Sequence, residues 1–492
     1  MEAFENPKRK LTRKMSFTMG NETFTVAAKL FAQNRTRLVE MLRNKVQTGS
    51  IILLKGGIEQ NRYDTDALDL PFRQESYFFW TFGVHESNCF GAIDIDSGRS
   101  FLFLPRLHPD YVIWHGKIYN EDWYQKKYEV DEVHFNDKNT IIETLTNLHA
   151  KQLLLLKAYN SDSNEILEPP TIDGLNNFPC DTSILYPVMA ELRVFKTDQE
   201  LNVMRYVCKV ASEAHKAVMK AARPGMYEYQ LESLFRHHCY YHGGCRHLAY
   251  TCIASSGYNS SILHYGHENA PNSKEIIDGD LCLFDMGPEY NCYASDITTT
   301  FPCNGKFTEK QKIIYNALQI EKYLKLLNQA RIQWDEMHKL AEMIILSHLR
   351  DAGILKGDLE KMMEARIGAI FMPHGLGHFM GLDVHDCGGY LGDAKPRSTL
   401  PGLKALRTTR TLQERMVITI EPGCYFIDTL LDAALNDPIQ KKFIVKEKLD
   451  DFRGFGGVRI EDDVVIWANG NERMSNVPRT VDEIEQFMSE RQ

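Results

Sequence analysis

The sequence predicts a two-domain protein of mixed α and β structure, an α/β domain followed by an α+β domain. Three observations carry this expectation. A chain of 492 residues is too long for one ordinary domain and long enough for more than one core. Its first third sets short apolar runs between helical patterns: SIILLKGG (50–57), RSFLFLPR (99–106) and KQLLLLKA (151–158). The runs barely alternate, as expected of strands covered on both faces. After them, Thr197 and Glu200 have the spacing of a helix capping box, and Leu201, Met204, Cys208, Ala211 and Val218 follow at helical intervals.

That helix opens the second domain, which puts the boundary near residues 186–194 and the domains at 18–188 and 189–485. Ahead of them, residues 1–17 read as a mobile basic tail. KRKLTRK has no apolar run behind it and so is no secretory signal. A second capping box, Thr308 with Gln311, predicts a helix through about Gln329. Between the two helices, CLFDMGPEYNCYASDITTTF reads as two short strands around a polar turn. A turn at Tyr290-Asn291 makes Asp285 and Asp296 face each other. Directly opposed side chains lie about 4.5–5.5 Å apart, and like charges there repel. Two facing carboxylates flanked by apolar residues need a cation, most simply a divalent metal.

Composition narrows the function classes. Hydrophobic residues make up 43% and charged residues 25%, the balance of a soluble globular chain rather than a disordered one. A net charge of −9 argues against a nucleic-acid partner or an anionic membrane surface. No apolar stretch approaches the roughly 20 residues that span a bilayer. Eleven cysteines without a CxxC pair read as reduced thiols, which favours the cytoplasm.

Three further candidate ligands follow at long intervals: His378 in FMPHGLGHFMG, Glu421 in VITIEPGCYF and Glu461 in GFGGVRIEDDVV. Taken singly, each has an ordinary reading: a histidine in a glycine-rich turn, a strand-terminal charge and an acidic turn. Together with the aspartates they form a hard, oxygen-rich set that suits Mn²⁺ or a similar ion. Five such ligands can hold two metals about 3.5–4 Å apart, an arrangement used for hydrolysis. Arg459 alternates to the same strand face as Glu461 and can neutralise a carboxylate or meet substrate.

The ordered set D-x(10)-D, HGxGH, EPG and R-I-E resembles the pita-bread metallopeptidases, the family of methionine aminopeptidase, aminopeptidase P and prolidase. LHYGH, FMPHGLGHFMGLDVHD and FRGFGGVRIEDDVV resemble its animal Xaa-Pro dipeptidase branch, and the resemblance runs from about residue 18 to the C-terminus. It implies a C-terminal domain of pseudo-two-fold symmetry whose curved sheet cradles two Mn²⁺. It implies that Asp285 caps one metal, that His378 and Glu421 hold the other, and that Asp296 and Glu461 bridge both. A metal-bridging hydroxide would attack the scissile carbonyl, and Glu421 would shuttle the proton to the leaving nitrogen. His264, His385 and Arg407 align with residues that hold the free carboxylate of an Xaa-Pro dipeptide. For His264 a position behind a metal ligand is equally open. The resemblance also implies a homodimer in which Trp114 of the N-terminal domain reaches the partner's site.

Two turns depart from the family pattern. Gln413-Glu414-Arg415 stands where a Pro-Gly turn is usual, and Pro288 stands where glycine is common. The alternatives are aminopeptidase P-type removal of an N-terminal residue from longer peptides, or a non-catalytic pita-bread binding module. The complete set of five ligands counts against the module. It also counts against a creatinase-like hydrolase, which needs no two-metal set.

Overall fold

The computed structural model describes residues 16–68, 71–137, 139–319, 321–327 and 332–490. KRKLTRK and the far end of the predicted 309–329 helix lie outside the described residues. Ser16 and Phe17, the last residues of the expected tail, pair with Val26 and Ala27, and Phe17 is buried.

The chain forms two compact units. The first comprises residues 1–68, 77–156 and 169–182. The three apolar runs become strands Ser50–Lys55, Ser100–Leu104 and Gln152–Leu155 of a six-stranded mixed sheet, joined by Phe90–Asp94, Glu132–Phe135 and Cys180–Asp181. Ile51, Leu53, Phe101, Phe103, Leu153 and Leu155 point to one face and pack on Ile141 and Leu145 of helix Thr140–Asn147. Ile52, Leu54, Leu102 and Leu154, one residue out of phase, are buried as well. Both faces are therefore covered, which is why the runs do not alternate. Each such side chain contributes roughly 1.5–3 kcal/mol by leaving water.

The second unit comprises residues 69–76, 157–168 and 183–492. Its long helix, Asp198–Ala221, starts at the expected capping box: Glu200 N–H donates to Thr197 Oγ1 at 3.2 Å, and Thr197 N–H donates to Glu200 Oε2 at 2.7 Å. The Thr308–Gln311 box also forms, but its helix ends at Asn316, and a separate one spans Glu321–Leu327. Ala317 and Leu318 are fully buried in the intervening turn. Packing overrides the local preference there.

A helix-then-antiparallel-strand order occurs twice in this unit, in keeping with the expected pseudo-two-fold plan. Asp198–Ala221 and Glu228–Gly243 precede the sheet of Ile253–Ser256, Leu281–Asp285 and Thr298–Pro302. Trp334–Asp351 precedes the sheet of Val417–Ile420, Asp462–Trp467 and Gly470–Arg473. Thr300 Oγ1 donates to Arg459 O at 2.8 Å, and Glu461 N–H donates to Thr298 O at 3.2 Å. Those bonds stitch the two strand sets together where the candidate ligands lie. Among the described residues no helix is long and apolar enough to cross a membrane. All eleven cysteines are free thiols.

Candidate active site

Asp285 ends strand Leu281–Asp285, and its ladder partner is Thr298 rather than Asp296. The hairpin turns at Asn291-Cys292, with Tyr290 paired to Tyr293, one residue beyond the expected Tyr290-Asn291. Asn291 and Cys292 have φ of 47° and 62°. A type I′ hairpin turn needs positive φ at both central positions, and asparagine tolerates it better than tyrosine. The shift moves the register by two residues and corrects the directly opposed pairing. The two aspartates nevertheless converge, because Asp296 lies between the Tyr293–Ala294 and Thr298–Pro302 strands. Tyr250 Oη lies 2.6 Å from Asp285 Oδ1 and 2.6 Å from Asp296 Oδ1. Gly287 permits the close crossing: a Cβ there would sit 1.8 Å from Ser295 O.

His378 is held in a glycine-rich loop, as its sequence suggested. A Cβ on Gly377 would meet Thr419 O at 2.0 Å, so only glycine lets the loop lie against strand Val417–Ile420. His378 N–H donates to Thr419 Oγ1 at 3.1 Å, and Thr419 N–H returns a bond to His378 O at 2.9 Å. The imidazole Nδ1 lies 3.1 Å from Phe379 O. A carbonyl only accepts, so Nδ1 carries the proton and the Nε2 lone pair is free. Nε2 points to Asp296 Oδ2 at 3.4 Å and Glu421 Oε1 at 3.6 Å. Glu461 accepts from Thr298 Oγ1 at 2.6 Å. Ligand atoms of Asp296, His378 and Glu461 all lie within 4.8 Å of one another.

Electrostatics show what the cluster lacks. Arg459 Nη2 donates to Asp285 Oδ2 at 2.6 Å, while Nη1 donates to Tyr425 Oη at 2.7 Å. Burial, reinforced by Asp285, pushes Asp296 well above the usual carboxylate range. Burial and Asp296 do the same to Glu461. Burial raises Glu421 to about 7, even though His378 and Arg459 pull it down. Burial lowers His378, keeping the imidazole neutral. Crowded carboxylates that repel one another around a free imidazole lone pair fit a divalent cation. The oxygen-rich donor set fits a hard one.

A cavity of about 680 Å³ opens over this cluster. It brings together all five candidate ligands with His264, His385, Arg407 and Arg459. The His385 ring meets His378 edge-on at 4.4 Å between centroids. Its pKa is lowered, first by burial and then by His378 and Arg407. The next residue, Asp386, anchors that loop by accepting from Arg193 Nη2 at 2.6 Å and Lys196 Nζ at 3.1 Å. His264 is likewise lowered by burial and by Arg459. Arg407 Nη1 pairs with Asp162 Oδ2 at 2.8 Å. Trp114 is not brought into this group. It lies on helix Tyr111–His115 of the first unit and is 80% exposed.

Several contributors escaped the sequence reading. Tyr250, the residue touching both aspartates, stands in AYTC with no motif around it. His374 Nε2 lies 3.0 Å from Tyr425 Oη, its Nδ1 is 3.7 Å from Glu421 Oε2, and burial lowers its pKa to about 3. Its signal was present as the first histidine of HGLGH. Asp463 accepts from the Asp296 N–H at 3.1 Å, behind the ligand it steadies. Of the two departures, Arg415 takes φ 71°, the left-handed region that glycine favours. Pro288 begins strand Pro288–Tyr290, and its carbonyl accepts from Ser295 N–H at 3.2 Å.

Comparison with known proteins places these features in a family. Residues 202–468 match the model of metallopeptidase family M24, and residues 31–154 match the aminopeptidase P N-terminal domain. The chain is 52% identical to Xaa-Pro dipeptidase of Homo sapiens over 96% of both chains. It is 51% identical to that of Mus musculus over 97% of both. A solved structure of zinc-substituted Escherichia coli aminopeptidase P in complex with product superposes with a TM-score of 0.75 at 30% identity, covering 95% of this chain and 99% of that one. The M24 match spans more than half of the sequence and contains the whole cluster from Asp285 to Glu461, so the chain belongs to metallopeptidase family M24.

Proposed function

We propose that this chain is an Xaa-Pro dipeptidase, releasing free proline or hydroxyproline from the C-terminal position of dipeptides. The observation that carries the reading is one cavity joining the uncompensated carboxylate cluster to Arg407, His264 and His385. The first group suits metal-assisted hydrolysis and the second suits a free carboxylate. Two Mn²⁺ per subunit are the proposed cofactors, other divalent ions being chemically acceptable. Asp285 would serve one ion, His378 and Glu421 the other, and Asp296 and Glu461 both. Bound ions would lower the pKa of water and polarise the scissile carbonyl.

The remaining steps belong to the chain itself. Glu421, beside the scissile bond, would take a proton from the attacking water and pass it to the leaving nitrogen. His264 and His385, both open to the cavity and with lowered pKa values, can donate to a carboxylate or a developing oxyanion. Arg407 would pair with the substrate carboxylate. Arg459 would hold Asp285 in place through their ion pair and border the substrate. An X–Pro bond has no amide N–H, so a peptidase for it gains by fitting the ring instead. The protein would act as a homodimer in the cytoplasm, a compartment that eleven free cysteines suit. The exposed Trp114 would be offered to the partner's site.

A second reading, removal of an N-terminal residue before proline from longer peptides, draws on the likeness to aminopeptidase P. One assay separates the two. Metal-stripped protein is given Gly-Pro and Gly-Pro-Leu, with and without Mn²⁺, beside Asp296→Asn. Mn²⁺-dependent cleavage confined to the dipeptide and lost in Asp296→Asn is expected. Preference for the tripeptide would establish the second reading instead. No cleavage of either by metal-loaded protein would refute both.

A further inference from the structure

The Arg407–Asp162 pair is one edge of a three-residue cluster in the second unit. Asp162 lies in the tip of the hairpin formed by Ala158–Tyr159 and Ile166–Leu167. Its two oxygens go to different arginines: Oδ2 to Arg407 Nη1 at 2.8 Å and Oδ1 to Arg397 Nη2 at 2.5 Å. The tip is fixed by its own side chains. Asn160 Oδ1 accepts from Asp162 N–H at 2.9 Å and from Ser163 N–H at 3.1 Å. Tyr159 Oη donates to Asn164 Oδ1 at 2.6 Å.

Arg397 is equally constrained. Its Nη1 donates to Leu406 O at 2.8 Å, and its guanidinium lies 4.4 Å from the centroid of the Tyr390 ring. Tyr390 Oη donates to the same Leu406 carbonyl at 2.7 Å. The backbone just before Arg407 and the Arg407 side chain are thus secured by one group of residues.

Of the three charged residues only Arg407 lines the cavity. Asp162 meets that guanidinium as an ion pair at one corner, leaving the N–H donors of the fork for a ligand. Charge completes the argument. Arg407 with Asp162 alone would sum to zero and attract a carboxylate weakly. The second guanidinium leaves the three-residue cluster with a net +1, the sign that attracts a carboxylate to Arg407.

We propose that Asp162 and Arg397 are positioning residues that create the requirement for a free substrate carboxylate: Asp162 aims Arg407, and Arg397 keeps the pair positively charged. The inference rests on the dipeptidase reading and extends it from a carboxylate contact to the residues behind it.

The test uses full-length, Mn²⁺-loaded protein with Gly-Pro and its C-terminal amide, which differ only in that charge. Arg397→Met should raise KM for Gly-Pro on the order of tenfold, by loss of one nearby unit charge, while kcat and amide hydrolysis change much less. Arg397→Lys, which keeps the charge, should recover most of that loss. Asp162→Asn should also raise KM for Gly-Pro by leaving Arg407 unaimed. An unchanged Gly-Pro to amide preference in Arg397→Met would overturn the proposal. So would a lowered KM in Asp162→Asn, which would make Asp162 a competitor for Arg407. If wild-type protein leaves Gly-Pro intact, the dipeptidase reading falls and takes this inference with it. If wild type cleaves Gly-Pro and the variants behave like it, this inference alone falls.

Discussion

Arg459 Nη2 lies 2.6 Å from Asp285 Oδ2, giving one of four clustered carboxylates a direct counter-charge. Among the described residues the carboxylates of Asp296, Glu421 and Glu461 have no arginine or lysine bonded to them, and all three are raised above the carboxylate range, first by burial. A raised folded pKa means that the folded state holds a proton the unfolded chain releases. In metal-free protein these groups stabilise below the unfolded value, 4.5 for glutamate, and that contribution is lost as pH rises through the folded value, about 7 for Glu421.

Chelator-treated protein should therefore lose thermal stability between pH 4.5 and 7, the two values that bracket Glu421. Added Mn²⁺ should restore it most at the upper end. At a thousandfold excess over Kd the gain is about 4 kcal/mol. Thermal denaturation across this window, with and without Mn²⁺, gives the answer. An equal metal effect at both ends would contradict the assigned cluster.

Tyr250→Phe removes the hydroxyl that lies within hydrogen-bond reach of both aspartates. A hydrogen bond to a charged group is worth about 1.5–3 kcal/mol. The variant should fold, bind Mn²⁺ more weakly in titration calorimetry and lose roughly ten- to a hundredfold in kcat/KM, by the same energy. Wild-type metal affinity would remove Tyr250 from the site's machinery.

Gly287→Ala drives a methyl into Ser295 O, a backbone atom that cannot rotate aside. Separating the strands costs about 3 kcal/mol, at the upper end for overpacking. Urea denaturation should show the loss, and it should persist without metal because the clash is steric. An unaffected midpoint would mean that the crossing is looser than described.

Asp386→Asn leaves Arg193 and Lys196 without the fully buried carboxylate between them. Breaking such a pair costs about 3–5 kcal/mol. Burial works against ionisation there, but Arg193 and Lys196 outweigh it and hold the Asp386 pKa below its ordinary value. Its contribution is present above the ordinary aspartate pKa and fades as pH falls through the folded one. The stability gap between wild type and variant should therefore narrow in acid. KM for Gly-Pro should rise more than kcat falls, because the loop being released carries His385.

The parts of the fold that sequence made legible are those set by local chemistry. Thr197–Glu200 and Thr308–Gln311 form their capping boxes because the two partners are three residues apart and depend on nothing else. The helix after Thr308 ended early because Ala317 and Leu318 are buried by the rest of the fold, which no local pattern encodes. The hairpin turn was misplaced by one residue because Tyr290 and Asn291 are both reasonable turn residues until the φ of Cys292 is known.

The candidate site divides in the same way. Its carboxylates and His378 stand in short motifs, whereas Tyr250 and Asp162 join from segments with nothing distinctive around them. Arg407 was suggested by resemblance, and its pairing with Asp162 spans 245 positions of chain. Arg410, three residues on, turns away from the cavity and pairs through both arms with Glu191. Neighbouring arginines in one basic stretch thus have opposite tasks.

The two-step pairing of the hairpin also sets which insertions the chain can absorb. The ladder below Asp285 and the short ladder to Tyr293 share one register, and Asp296 lies in the gap between them. An extra residue at the Asn291-Cys292 tip is carried outward, away from both ladders. An extra residue between Asp285 and Pro288 has no such outlet. It would turn the downstream strand over, since side chains alternate faces along a strand, and would separate Asp285 from Asp296. Length variation among relatives is therefore expected at the tip and forbidden at its base, a few residues away.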